Sequence, residues 1–218
     1  MGRKNNKRSK GMFISKEVFN QEQYVRLLDE LARGNTQQSN TLLTYDYFTE
    51  RFSSIATISR DDLLYAIHVA YSWMPTMLHL FHIADIADLD SLIPAINSLR
   101  EIETYEQLNT LEDYALEHFT ALSRIINNSV VGTSKVLHFF CPHTIPIIDS
   151  RVVIAWNRFF ELHPDAILSG CKSVIGPAKY LDYWKALLFW KEKAGLSSIR
   201  LLENPLFILG GLDRQGIT

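Results

Sequence analysis

The residues that concentrate chemistry in this chain lie in one stretch, Val130–Val153, which reads VVGTSKVLHFFCPHTIPIIDSRVV. Gly132 supports a turn conformation closed to other residues, and the helix entered through Thr133 and Ser134 then offers unpaired backbone N–H groups to a phosphate or carboxylate. Pro142 and Pro146 stiffen the connection to Asp149, which stands at the N-cap of the next helix. There its carboxylate either closes the helix end or faces a ligand or reacting group. His138, Cys141 and His143 are close enough to suggest metal ligands, with His163 or Cys171 as a fourth. Pro142 interrupts that geometry, and Phe139 and Phe140 mark the helix as packed, so the reading taken is a packed histidine and cysteine with no metal and no cofactor. Arg200 and Glu203, three apart, pair on a helix surface or between helices.

The elements that must position these residues read as helices throughout, which makes the fold class all-α. Ser15 can cap a first helix carrying Tyr24, Val25, Leu27, Leu28, Leu31 and Ala32, with Gly34 as its stop. Asn35–Asn40 is a loop, and Thr41–Phe52 a short helix. Ser59 with Asp62 makes a capping box before Leu63, Leu64, Ile67, a core His68 and Tyr71, and Pro75 ends that helix. A helix follows over Leu89–Arg100. Thr104 with Gln107 opens a long one through Ile126, which Asn127-Asn128-Ser129 ends. The second half contributes Thr133–Cys141, Ser150–Phe160, Pro177–Lys193 and Ser198–Leu209, none with the alternation of a strand. Ser173–Lys179 reads as a second glycine turn, either a phosphate clamp using Gly176 and Lys179 or a plain helix start with proline in its first turn. Residues 13–218 form one irregular helical domain, with no repeat or linker dividing it.

The order of glycine turn, Lys135, short helix, proline-containing loop and Asp149 resembles the helix-hairpin-helix DNA glycosylase superfamily, over about the second half of the chain. Ser134–Val152 also fits the pattern SK-x-LHF-xx-P-xxx-P-I-x-D-S-R-V of degenerate bacterial members. The resemblance implies an irregular multi-helix core, a glycine hairpin holding DNA phosphate, a lysine nucleophile that forms an imine, and an aspartate that assists attack at the sugar C1′. Lys135 and Asp149 are the matching catalytic positions. Gly132, Thr133, Ser134, Arg151, Gly176 and Lys179 are the matching nucleic-acid contacts. Excision requires the target base to be flipped out and stacked on an aromatic face. Trp73 and Trp156 are the candidates carried forward, beside Tyr71 and Phe140. The chain departs from the family pattern in having Val130-Val131-Gly132 in place of a double-glycine hairpin, and a shorter interval from Lys135 to Asp149. DNA is the partner so implied; a non-catalytic helical module that binds nucleic acid or a protein is the alternative.

Composition bounds these readings. The chain has 218 residues, 47% hydrophobic and 21% charged, with net charge −2. That is enough to bury a core without staples. Arg3, Lys4, Lys7, Arg8 and Lys10 place +5 in residues 1–12, read as a basic flexible tail, and leave −7 on the remainder. Such a cluster suits phosphate or an acidic surface, whereas the acidic body argues against wholesale wrapping by nucleic acid. Two cysteines exclude a disulfide framework and fit a reducing, cytoplasmic setting. No apolar run spans a membrane, and no Walker loop, HExxH or GxSxG occurs, which removes those enzyme classes.

Overall fold

The computed structural model describes residues 17–34, 41–74, 78, 83–168 and 175–214, and within them every regular element is helical. The expected basic tail, the Ser15 cap, Pro75 and Cys171 lie outside the described residues. The N-terminal helices are α1 (Gln21–Arg33), α2 (Thr41–Ser53), α3 (Arg60–Ser72) and α4 (Ile83–Leu99). Asn20, not the expected Ser15, caps α1, its side chain accepting the Gln23 N–H at 3.0 Å. The Ser59–Asp62 capping box forms at the start of α3 as expected. His68, expected in the core, is exposed on α3, with its Nδ1 2.8 Å from Leu64 O.

The Thr104–Gln107 capping box also forms, but the single long helix expected after it is two helices, α5 (Tyr105–Thr110) and α6 (Glu112–Ile125), meeting at Leu111. Leu111 is 41% exposed and has φ −98° and ψ 17°, which ends the first helix and opens the second. The apolar spacing of Leu108, Ala115, Phe119 and Leu122 survives the break because both pieces bury those residues in the same core. The remaining helices are α7 (Val130–Phe140), α8 (Ser150–Phe159), α9 (Pro177–Lys193) and α10 (Arg200–Arg214), with a 3₁₀ turn at Pro164–Ala166.

α9 is the axis around which the site is built. Tyr180 through Trp190 are all buried, the pattern of a helix enclosed on every side. Its two charged interior residues have partners: Asp182 faces Lys179 at 3.9 Å, and Lys185 reaches Glu112 at 2.9 Å. Among the described residues, α8 and α10 form the most extensive helix pairing. That crossing depends on Gly210, because a Cβ there would lie 1.9 Å from Arg151 O. α2 and α3 pack on α7, and α6 turns back into α7. Among the described residues no helix is long and apolar enough to cross a membrane.

Candidate active site at the helix hairpin and the Cys141–Asp149 loop

The hairpin between α6 and α7 is made by Asn127 and Asn128, whose φ values of 53° and 50° lie in the left-handed region. Asparagine enters that region more readily than most residues because its short amide bonds locally. Gly132, expected at the turn, is instead inside the first turns of α7. Its lack of a side chain serves packing: a Cβ would stand 2.9 Å from the Tyr71 hydroxyl and 3.1 Å from Ile126 Cγ2.

The expected anion cradle is largely occupied by the protein itself. Ser129 caps α7, its Oγ accepting the Gly132 N–H at 3.0 Å, and its carbonyl accepts both the Thr133 N–H at 3.0 Å and the Thr133 hydroxyl at 2.8 Å. The Ser134 hydroxyl donates to Val131 O at 2.9 Å. Thr133 and Ser134 are fully buried, so their side chains turn inward, away from any phosphate.

The segment from Cys141 to Asp149 belongs to no regular element, yet it is mostly buried, and its backbone groups find partners one by one. Ile199 N–H donates to His143 O at 3.0 Å, the Trp184 indole N–H to Thr144 O at 2.5 Å, the Tyr180 hydroxyl to Pro146 O at 2.9 Å, and the Tyr183 hydroxyl to Ile147 O at 3.4 Å. Buried loop carbonyls left bare would each cost free energy comparable to a lost hydrogen bond, so this ring of aromatic donors from α9 explains how an irregular segment is buried at all. Asp149 emerges from it as the N-cap of α8, accepting the Arg151 and Val152 N–H groups at 2.9 and 3.0 Å. The N-cap position expected from the prolines is the one observed.

Lys135 lies half-buried on α7, close enough to Asp149 and Arg151 to feel both charges. Burial lowers its ammonium pKa below the ordinary lysine value; the Asp149 carboxylate opposes that shift and the Arg151 guanidinium adds to it. Arg151 is exposed, and its guanidinium sits 4.9 Å over the Phe207 ring. The Ile148 N–H to Ser134 Oγ hydrogen bond at 3.2 Å joins the residues next to Lys135 and Asp149 in the chain, so Lys135 lies within electrostatic reach of Asp149 and Arg151 without an ion pair to Asp149. No family model, curated protein or solved structure matches this chain.

The other expected contacts are distributed elsewhere. Trp156 is fully buried among Phe19, Phe160, Tyr183 and Trp190, and its indole N–H donates to Ala166 O at 2.6 Å. It has no face for a flipped base and is a core residue. Tyr71 and Phe140 are buried as well. Trp73, the residue that closes α3, stays half-buried beside Tyr45, Phe48 and Phe139. Gly176 caps α9 without a side-chain bond and has open space around it, while Lys179 in the first turn faces the Asp182 carboxylate.

A buried polar cluster behind the loop was only partly anticipated. The Arg200–Glu203 pair forms at 2.7 Å, but Glu203 is 1% exposed, so the pair is internal rather than superficial. The second carboxylate oxygen of Glu203 accepts the Ile147 N–H at 3.0 Å. His138, at 0% exposure, has both ring nitrogens engaged: Nδ1 is 2.6 Å from Ile145 O and Nε2 is 2.5 Å from the Tyr45 hydroxyl. A carbonyl only accepts, so Nδ1 carries the hydrogen and Tyr45 donates to Nε2. Burial, reinforced by the Arg200 cation, pushes the His138 pKa down to about 3, which keeps the imidazole neutral. Its 3.7 Å approach to Glu203 is therefore not an ion pair. Burial also raises the Glu203 and Tyr45 pKa values against the pull of Arg200, whose guanidinium lies 4.1 Å over the Tyr45 ring. A histidine in an apolar helix, and a glutamate among leucines three residues after an arginine, were the available signals.

Proposed function

We propose that this chain is a DNA-directed, base-excision glycosylase-like protein with lyase activity, acting in the cytoplasm on damaged or modified bases. The observation that supports it is a desolvated lysine amine, Lys135 on α7, within electrostatic reach of a carboxylate held in place as an N-cap, Asp149 at the start of α8. A lowered pKa raises the fraction of neutral, nucleophilic amine. That amine adds to C1′ of the nucleotide as the C1′–N bond breaks and its electron pair leaves with the base. The positive charge that develops on the sugar is stabilised by Asp149. The ammonium then loses a proton, and ring opening at O4′ takes one up to give the imine. Arg151, exposed beside the pair, supplies a phosphate contact, and the half-buried Trp73 is the stacking surface that remains of those expected.

One observation favours a second reading, a non-catalytic module that binds nucleic acid or a protein. The N–H groups of Gly132 and Thr133 are taken by Ser129, and the Thr133 and Ser134 hydroxyls point inward, which leaves little of a phosphate cradle at the hairpin. Borohydride trapping on duplex and single-stranded oligonucleotides bearing abasic, uracil or oxidised-guanine sites separates the readings. The expected result is a trapped complex lost in Lys135→Ala and base release lost in Asp149→Asn. Binding without trapping or base release on any of these substrates leaves the binding module.

A further inference from the structure

We infer that Ser134 and Glu203 are positioning residues that fix the Asp149 carboxylate against Lys135, by holding the two peptide N–H groups that immediately precede Asp149. The catalytic meaning of this inference rests on the glycosylase-like reading; its geometric content does not. The Ile147 N–H goes to Glu203 at 3.0 Å, and the Ile148 N–H goes to Ser134 Oγ at 3.2 Å. Neither amide belongs to a helix, so these side chains stand where a backbone ladder would otherwise act. Both acceptors are fixed in turn. The Ser134 hydroxyl hydrogen is committed to Val131 O at 2.9 Å, which leaves its lone pairs for Ile148. The other carboxylate oxygen of Glu203 is held by Arg200 at 2.7 Å, and Arg200 lies over Tyr45.

The chain position of Ser134 gives the contact its consequence. It precedes Lys135 on α7, so one hydrogen bond ties the helix that carries the amine to the residue before the carboxylate. Glu203 ties the preceding residue to α10, whose crossing with α8 runs over Arg151. Amine, carboxylate and guanidinium are thus referred to one frame of α7, α8 and α10. A buried carboxylate is a poor device for stability alone, because its desolvation offsets much of its pairing. It is a good device for direction, since its hydrogen bonds specify one arrangement of the loop.

The test measures coupling between Lys135 and Asp149 without requiring DNA. The full-length chain is dimethylated with ¹³C-formaldehyde, the Lys135 resonance is identified by its loss in Lys135→Arg, and its pKa is followed by NMR. Asp149→Asn lowers that pKa in the wild type, because the carboxylate raises it. The same step shrinks in Ser134→Cys, which keeps the volume but weakens the acceptor, and in Glu203→Met. It is retained in Ser134→Thr and Glu203→Gln, which keep an accepting oxygen. Unfolding midpoints show that each variant folds. A full-sized step in both Ser134→Cys and Glu203→Met overturns the inference. Borohydride trapping by the same two variants is expected to slow by on the order of tenfold or more, the scale of a small displacement of reacting groups. A shrunken coupling step in a chain that traps no DNA supports positioning and removes the DNA reading alone. Trapping by the wild type that is undiminished in Ser134→Cys and Glu203→Met counts against positioning.

Discussion

His138 shows how a single residue separates what the sequence signals from what the fold does with it. Its neighbours Phe139 and Phe140 announce a packed helix, and it is packed, but its ring also links Tyr45 of α2 to the Ile145 carbonyl of the loop. Neutrality is the price of that position and makes a pH prediction. The unfolded chain takes up the His138 proton near the ordinary value of 6.5 and the folded chain not until about 3, so across that window the unfolded state binds more protons. The His138 contribution is therefore complete above pH 6.5 and is lost as the pH falls toward 3. Glu203 works in the opposite sense: its raised pKa favours the folded state below the ordinary carboxyl value of 4.5, and that share disappears as the pH rises through the folded value. Comparing wild type with His138→Asn by urea unfolding from pH 7 to 4 isolates the histidine. The stability difference is expected to narrow on acidification, with a slope of up to about 1.4 kcal/mol per pH unit; a pH-independent difference contradicts a neutral buried imidazole. A second residue-scale expectation concerns its partner: Tyr45→Phe leaves Nε2 without a donor and costs about 1–3 kcal/mol in the same assay. The N-cap position of Asp149 was legible from its local pattern. The Tyr45, His138 and Glu203 cluster was not, because its members come from three elements that only the tertiary fold brings together.

At the scale of elements, local signals located the starts of α2, α3, α5, α8 and α9, but placed α4 at Leu89 where it begins at Ile83 and gave no sign of the break between α5 and α6. Capping boxes at Ser59 and Thr104 formed as read, since they depend only on residues three apart. The break at Leu111 has no proline or glycine to announce it, and the glycine that did invite a turn, Gly132, is needed for contact between α7 and Tyr71. Two asparagines make the hairpin in its place. Asn128→Gly is accordingly expected to be tolerated, whereas Asn128→Ile, β-branched at φ 50°, costs about 1–2 kcal/mol in thermal or denaturant unfolding. The sharper test lies at the α8–α10 crossing. Gly210→Ala drives a Cβ into Arg151 O and forces the helices apart, with an expected loss of about 1–3 kcal/mol or more. Gly211→Ala meets nothing closer than 3.9 Å and is expected to be neutral or to gain up to about 1 kcal/mol from helix propensity. Equal melting temperatures for the two variants would mean that the crossing is looser than described. Because Asp149 caps α8, Gly210→Ala also belongs among variants that disturb Lys135 and Asp149 without touching either.

For the whole molecule, helical periodicity was enough to establish the all-α class, since every segment repeated its apolar residues at helical rather than alternating spacing. Which helices would meet was not legible. α9 is buried on all sides from Tyr180 to Trp190, and nothing in its sequence pattern says that it donates to the loop before Asp149 through Tyr180, Tyr183 and Trp184. Electrostatics supplies the remaining whole-chain argument. The +5 of residues 1–12 is set against −7 on the rest, so a body of one sign carries a segment of the other. If DNA is the ligand, that segment is the strongest concentration of cationic charge available to phosphate, and its contribution is counterion release rather than recognition of sequence. Each phosphate neutralised on duplex DNA steepens the fall of log affinity with log salt concentration by about 0.9. Removing residues 1–12 is therefore expected to weaken binding and to flatten that slope, by up to about 4.5 if all five of the segment's cations engage phosphate. Fluorescence anisotropy with a labelled duplex over a range of salt concentrations measures both quantities. Weakened affinity with an unchanged slope would assign the segment a role other than phosphate contact. A flattened slope with trapping through Lys135 preserved would divide the chain into a cationic segment that gathers DNA and a helical body that acts on it.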